Sequence, residues 1–381
     1  MSTTGFSTGI TAPTDLAGAE ERAVDLLMAL SEDERYPAAW IQANIMAVRT
    51  GNYDELAGPF SRMEFVGPDG DFAIAAPFTV VREAGRDQKF SDVVGRVIPH
   101  PDLPPLRSTI EELFGELREP IPHILPVEVT FSSGNLNAES GDAFIVSDGW
   151  PWPDNILGPP LNNMTEQRRR MATAFKAINR IFDEPTAELL IGPLRDEHDG
   201  ILVQHLEYQM HDAGHVTGMG LRKKLSLTLL PDYWNQGIEE WRADGVDFEL
   251  AVRSFSADVA AQVIASNWVV RFGIDAHRAG GIDADFDVGV TLLTLDRLFA
   301  NGALAVRGKR LSLNDPTPRG LIRAVELHRT EAVTLTREEM ELTKPSGLLR
   351  LHGSFNVHKA TQEVFKGLVV EPCKGLFTEL R

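Results

Sequence analysis

A mainly α-helical fold with a small β component is what this 381-residue sequence predicts. Three observations carry the expectation. Apolar residues recur at helical spacing through most of the chain, no proline interrupts the run between Pro193 and Pro231, and strand-like alternation is confined to short stretches.

Taken in order, residues 1–18 (MSTTGFSTGITAPTDLAG) lack a basic and apolar signal and read as a flexible lead-in. Apolar repeats in Glu20–Leu30, Pro37–Arg49 and Ser108–Leu117 make the stretch from Ala19 to Leu117 mostly helical. Residues from Glu119 to Asn163 are rich in proline and glycine, with an alternating Val127–Phe131, and read as loop with short strands. Such a section is long enough to form an organised cover over a pocket. It holds His123, Trp150 and Trp152, aromatic groups suited either to stacking on a flat substrate or to anchoring the loop. From Thr165 to Ala300 the pattern is helical again. Gly302–Leu313 reads as a hairpin, a helix follows from Arg319, and 353–381 is mixed and short-period. The expected organisation is therefore a helical region over 19–163, ending in the loop section, and a second helical region over 164–381 with a small mixed C-terminal part.

Composition excludes several classes of function. Hydrophobic residues make up 43% of the chain and charged residues 24%, enough for a packed core. The formal net charge of −18 disfavours nucleic acid, whose phosphates reward basic surfaces. No run of roughly twenty apolar residues appears, so no membrane span is expected, and the absence of a signal points to the cytoplasm. Cys373 is the only cysteine, which rules out an intramolecular disulfide and multi-cysteine metal sites. There is no phosphate-binding GxxxxGK[ST] loop, no GxGxxG fingerprint and no GxSxG elbow.

The chemistry is concentrated in Leu202–Gly220, LVQHLEYQMHDAGHVTGMG. The spacing of Ile201, Leu202, Leu206 and Met210 predicts a helix from Ile201 to Thr217, with Asp199-Gly200 as a turn before it and Gly218 and Gly220 as terminators. On that helix Glu207, His211 and His215 follow at four-residue steps, about 40° apart on one face. Parallel imidazoles on adjacent turns are suited to gripping one cation. Glu207 is then a third ligand or a general base, and Asp212 an acid that orients a ring through its second nitrogen. His205 shares a neighbouring face with Asp212 and is a further candidate ligand. The donors are nitrogen and oxygen, which suits a divalent metal: iron or zinc, with manganese also compatible.

His211-Asp212-Ala213-Gly214-His215 resembles the HDxxH core of the ubiquinone-biosynthesis accessory proteins, with Val216-Thr217-Gly218 in place of the turn that follows it there. The resemblance spans about twenty residues and implies metal-dependent chemistry on an apolar or aromatic substrate. Where that family carries a further glutamate, this chain has Leu227; Glu239 or Glu240, after the Pro231–Trp234 turn, could replace it. Met-His-Asp-Ala-Gly-His also looks like the central segment of the histidine-aspartate phosphohydrolases. Those need an earlier histidine, and between His123 and His198 there is none.

Ala257–Arg278 reads as a long buried helix. Arg271 lies inside its apolar run, and a buried guanidinium needs a partner; Asp275, four residues on, can be that partner. The functional alternative is that Arg271 receives a substrate carboxylate or phosphate. His277 sits at the helix end and is a candidate third ligand. His328 reads as part of a solvated face, and His352 and His358 as loop residues beside a Gly-Ser turn. The sequence thus points to a metal-dependent enzyme doing oxidative or carbon–carbon bond chemistry on a small apolar or aromatic metabolite, with a homo-oligomer compatible. A metal-dependent hydrolase and a non-catalytic helical scaffold are the alternatives.

Overall fold

The computed structural model describes residues 38–50, 63–66, 72–80, 89–98, 105–117, 124–132, 144–145, 161–224, 233–278 and 285–377, with isolated positions at 21, 24, 25, 27, 28, 31, 121 and 281. His123, Trp150, Trp152 and the 1–18 segment lie outside them. The fold is mainly α-helical with two small sheets, as the sequence predicts.

The chain divides into two units, one of residues 1–99 and 124–165, the other of residues 100–123 and 166–381. The first contains helix α1 (Ala38–Thr50) and a six-stranded sheet. Its strands are β1 (Met63–Val66), β2 (Phe72–Val80), β3 (Lys89–Val97), β4 (Leu125–Ser132), β5 (Phe144–Ile145) and β6 (Leu161–Asn163). They lie in the order β1-β2-β3-β4-β6-β5, antiparallel except for the parallel β4–β6 pair. The expected helical character of 19–117 is corrected here, because β1, β2 and β3 occupy its middle. Phe72–Val80 (FAIAAPFTV) is a continuous apolar run with a proline, a pattern that serves strand or helix equally. The structure resolves the ambiguity with a bulge between Ala75 and Phe78, where Pro77 cannot donate to the ladder.

The second unit carries the candidate site residues. It begins with α2 (Leu106–Phe114), which contributes Leu106, Ile110 and Leu113 to a buried cluster with Met210, Ala213, Val246, Leu250 and Val263. This apolar face explains why 100–123 belongs to the C-terminal unit. The remaining helices are α3 (Met164–Ile181), α4 (Glu184–Ile191), α5 (Glu197–Lys224), α6 (Tyr233–Ser254), α7 (Ala257–Gly273), α8 (Phe286–Ala300), α9 (Pro318–Ala324), α10 (Glu326–Met340), α11 (Pro345–His352) and α12 (Lys359–Val364). The expected hairpin is present as β7 (Leu304–Arg307) and β8 (Arg310–Leu313), joined through Gly308 at φ 64°. Ser256 caps α7 by accepting a hydrogen bond from Val259 N, which fixes where that buried helix starts.

Helix α5 runs 28 residues, past both glycines expected to end it. Gly218 serves packing instead, as does Gly214 one turn before it. A Cβ on Gly214 would stand 2.8 Å from the Ala243 carbonyl oxygen, and one on Gly218 would stand 2.7 Å from an Arg242 guanidinium nitrogen. Contacts step down α6 as they step up α5: Asp244 meets His211, Ala243 meets Gly214, and Glu239 meets His215. The two helices are therefore antiparallel neighbours, brought close by the missing side chain at 214. Gly200, expected in a turn, is likewise helical and lies against the Leu194 backbone.

Gly214→Ala should destabilise the chain by about 2 kcal/mol through overpacking. Gly367→Ala, where an added Cβ meets nothing within 4 Å, is the matched control and should be close to neutral in thermal unfolding.

Candidate metal centre

The site is built where α5 crosses α6. His211 and His215 are one turn apart on α5, with ring centroids 4.6 Å apart and planes at 87°. Their Nε2 atoms are 3.0 Å from each other. Glu240, in the second turn of α6, brings Oε2 to 3.2 Å from His211 Nε2 and Oε1 to 3.4 Å from His215 Nε2. One ligand atom from each of the three lies within 4.8 Å of the others, the one such group among the described residues.

The donor set fits a cation. Ligands about 2.0–2.1 Å from a tetrahedral zinc ion lie roughly 3.3 Å from one another. The two ring nitrogens are 3.0 Å apart, and each has its own Glu240 oxygen near that edge length, at 3.2 Å from His211 and 3.4 Å from His215. Two nitrogens and one carboxylate form a two-histidine, one-carboxylate set that could hold a divalent metal.

Each imidazole is aimed from behind. His211 Nδ1–H donates to Asp244 Oδ1 at 2.8 Å, and His215 Nδ1–H donates to Glu239 Oε1 at 3.2 Å. Each of these carboxylates is in turn gripped by a buried guanidinium. Arg271 donates from Nε and Nη2 to both Asp244 oxygens at 2.8 and 2.9 Å. Arg242 donates from Nε and Nη2 to both Glu239 oxygens at 2.9 and 2.7 Å. A hydrogen bond to the far nitrogen fixes which ring nitrogen is left to bind, and raises its basicity.

The electrostatics follow from burial and pairing. Burial disfavours the charged His211 ring, yet its hydrogen bonds to Asp244 and Glu240 raise its pKa well above the ordinary value. His215 is raised too: burial opposes the charge, and the Glu240 and Glu239 carboxylates outweigh it. Burial would raise Glu240, but the two imidazoles hold it well below the usual range. Asp244 is also lowered, with Arg271 overcoming its burial. Cation uptake must displace the ring protons, so metal affinity should rise with pH.

The structure brings His211 and His215 together as the sequence predicts, and adds Glu240 from α6. Glu207 is not in that group. It is buried one turn further down α5, its Oε1 accepts from Asn267 Nδ2 at 3.1 Å, and desolvation pushes its pKa up to about 7. His205 is buried on α5 but six residues before His211, about 240° round the helix, and lies outside the group. His277 is also outside it; its Nε2–H donates to the Phe272 carbonyl at 3.0 Å and its ring stacks on Phe377. Asp212 does not orient either ring, a role taken by Asp244 and Glu239. It is buried, its Oδ2 has no hydrogen-bond partner among the described residues, and burial pushes its pKa up to about 6.

Arg271 pairs with Asp275 at 3.0 Å, the expected i,i+4 contact, and with Asp287 at 2.8 Å besides Asp244. Its fork is fully engaged by protein carboxylates, so the expectation that it receives a substrate anion is set aside. The sequence reading did not assign Arg242, nor the ring-orienting roles of Asp244 and of Glu239, which it offered only as a replacement ligand. The signal available was the four-residue step from Glu240 to Asp244, which mirrors His211 to His215 on a facing helix. His328 and His352, expected on surfaces or loops, are buried: His328 stacks on Trp241 at 4.2 Å, and His352 ends α11 against Glu339.

The fold and site together define a helical protein with a candidate two-histidine, one-carboxylate metal centre. Residues 26–272 match a family of unknown function (DUF6014), and the chain belongs to that family. All three candidate ligands fall within the match. No curated protein matches the sequence. Among solved structures, DPP III from Caldithrix abyssi is similar at 11% identity and a TM-score of 0.47, over 95% of this chain and 69% of that one. No helix among the described residues is long and apolar enough to cross a membrane.

Glu207 yields a pH-dependent prediction. Its folded pKa of about 7 lies above the ordinary 4.5, so its contribution is fully favourable below 4.5 and is lost as pH rises through 7. Glu207→Gln removes the ionised form. It should raise the unfolding temperature at pH 8 by about 3 °C and leave it unchanged at pH 4. Equal stability of variant and parent at pH 8 would show that the buried charge is compensated.

Proposed function

We propose that this protein is a divalent-metal-dependent hydrolase acting on a small molecule. What supports the reading most is one arrangement: two imidazole nitrogens 3.0 Å apart that face the two oxygens of one carboxylate, with a buried carboxyl directly after the first histidine. In the HExxH arrangement of metalloproteases, the acid after the first histidine is the general base. Asp212 holds that place here, one methylene shorter.

The ligand set of two imidazoles and one carboxylate suits zinc. A metal there would supply Lewis acidity and make water a nucleophile near neutral pH. The chain's own residues do the rest. His211, His215 and Glu240 present their donor atoms without rearrangement, because Asp244 and Glu239 lock the rings. Asp212, desolvated to a pKa of about 6, can take a proton from the attacking water and return it to the leaving group. Arg271 and Arg242 hold the orienting carboxylates in place inside the protein.

The oxidative reading from the sequence uses the same donors with iron. It rested on a resemblance whose further glutamate falls at Leu227. Glu240 supplies a third ligand by a different route, and the acid at 212 favours water activation over dioxygen chemistry.

The test is metal analysis together with activity. Full-length protein should carry about one equivalent of zinc, and His211→Ala with His215→Ala should lose it while remaining folded. A panel of peptide, ester and phosphate substrates should show zinc-dependent hydrolysis. Asp212→Asn should keep the metal but lose turnover by about 10²–10⁴-fold. Turnover that survives Asp212→Asn, or that consumes dioxygen with iron, would overturn the hydrolytic assignment.

A further inference from the structure

The support behind His215 does not stop at Arg242. That guanidinium is fully buried. Besides its fork on Glu239, it donates from Nη1 to Thr217 Oγ1 at 2.7 Å and to Thr336 Oγ1 at 3.0 Å, and from Nη2 to the Gly214 carbonyl at 3.3 Å. The same Nε that donates to Glu239 also lies 3.6 Å from Glu339 Oε2, a second ion pair. Glu339 Oε1 accepts from His352 Nε2–H at 2.6 Å, and His352 Nδ1 lies 3.1 Å from Asn235 Oδ1. A continuous polar chain therefore runs from α11 through α10 and α6 to the His215 ring on α5. His211 is supported from another direction, through Asp244 on α6, Arg271 on α7 and Asp287 on α8.

The physical consequence comes from sharing. One guanidinium is shared by two carboxylates, Glu239 and Glu339, which meet at its Nε in a region with almost no water access. A buried ion keeps its place only while its partners stay charged and correctly placed. If Glu339 loses its charge or its hydrogen bond to His352, Arg242 is drawn more strongly toward Glu239, whose Oε1 is also the acceptor for His215 Nδ1–H. The acceptor then moves, and with it the direction of His215 Nε2.

We propose that Glu339 and His352 are positioning residues of the metal centre, acting on His215 through Arg242 and Glu239. Both lie beyond residue 272, outside the family match, so the C-terminal helices complete a site whose ligands all precede them. The inference rests on the metal reading above and assigns the α10–α11 segment a role in it.

Zinc titration of the full-length protein by calorimetry tests this, with the cobalt ligand-field spectrum as a second readout. Glu339→Gln and His352→Leu should each weaken zinc binding about tenfold and alter the cobalt spectrum at saturation. Arg242→Met should weaken it further, and Arg242→Lys should recover part of the loss. Leu335→Ala removes a buried apolar contact on the same helix; it should lower thermal stability and leave both metal readouts unchanged. Parental zinc affinity in Glu339→Gln and His352→Leu would overturn the proposal while leaving the metal reading intact. An equal loss in Leu335→Ala would overturn it as a mere stability effect. If the parent protein binds no zinc, the metal reading itself falls.

Discussion

Two imidazole nitrogens 3.0 Å apart, each facing the same carboxylate, form the interaction on which the rest of this structure depends. Left alone, two basic nitrogens so close would turn away from each other, because neither has a reason to point at the other. They are held by what lies behind them. Each ring is pinned through Nδ1 to a carboxylate, and each carboxylate to a buried arginine. The pattern is repeated on the two rings with different residues: Asp244 and Arg271 for one, Glu239 and Arg242 for the other.

Such a core is costly unless something offsets its charge. Glu207, Glu239, Asp244, Asp247, Asp275 and Asp287 are all buried in this part of the fold, with Arg242 and Arg271 as the buried cations. Acids outnumber guanidinium groups, and isolated buried carboxylates avoid the charged state. The pKa directions follow: Glu207, Asp247 and Asp287 are raised by desolvation, while Asp244, beside Arg271, and Glu240, facing the two imidazoles, are lowered. A divalent cation held by His211, His215 and Glu240, as proposed, would offset part of the excess and tie the stability of this region to the occupancy of the site. The helices tolerate the arrangement because apolar packing surrounds it. Trp241 and Trp268 are fully buried on the helices that carry Glu240 and Asn267.

The part of this that was legible in the sequence is the part governed by one helix. Four-residue spacing is a local property, so Glu207, His211 and His215 could be placed on one face of α5, and Arg271 could be matched to Asp275. Glu240 was within reach as a substitute for the ligand absent at Leu227, but choosing it over Glu239 requires knowing how α6 lies on α5. The register of two packed helices depends on tertiary contacts, above all the glycine at 214. The same glycines misled the reading of helix length: Gly218 ends a helix or admits a neighbour, and only the guanidinium of Arg242 beside it tells which. His352 read as a loop residue because a Gly-Ser turn follows it, and its burial comes from α6 and α10, far away in sequence. The strands at 63–97 were missed because short apolar runs have no period that separates strand from helix.

The most direct measurement is a crystal of the full-length protein grown with zinc, with anomalous diffraction recorded on both sides of the zinc edge. The account predicts one strong anomalous peak bounded by His211 Nε2, His215 Nε2 and a Glu240 carboxylate oxygen, with Asp244 and Glu239 still on the far ring nitrogens. No peak at that position, or one coordinated by other residues, would contradict it.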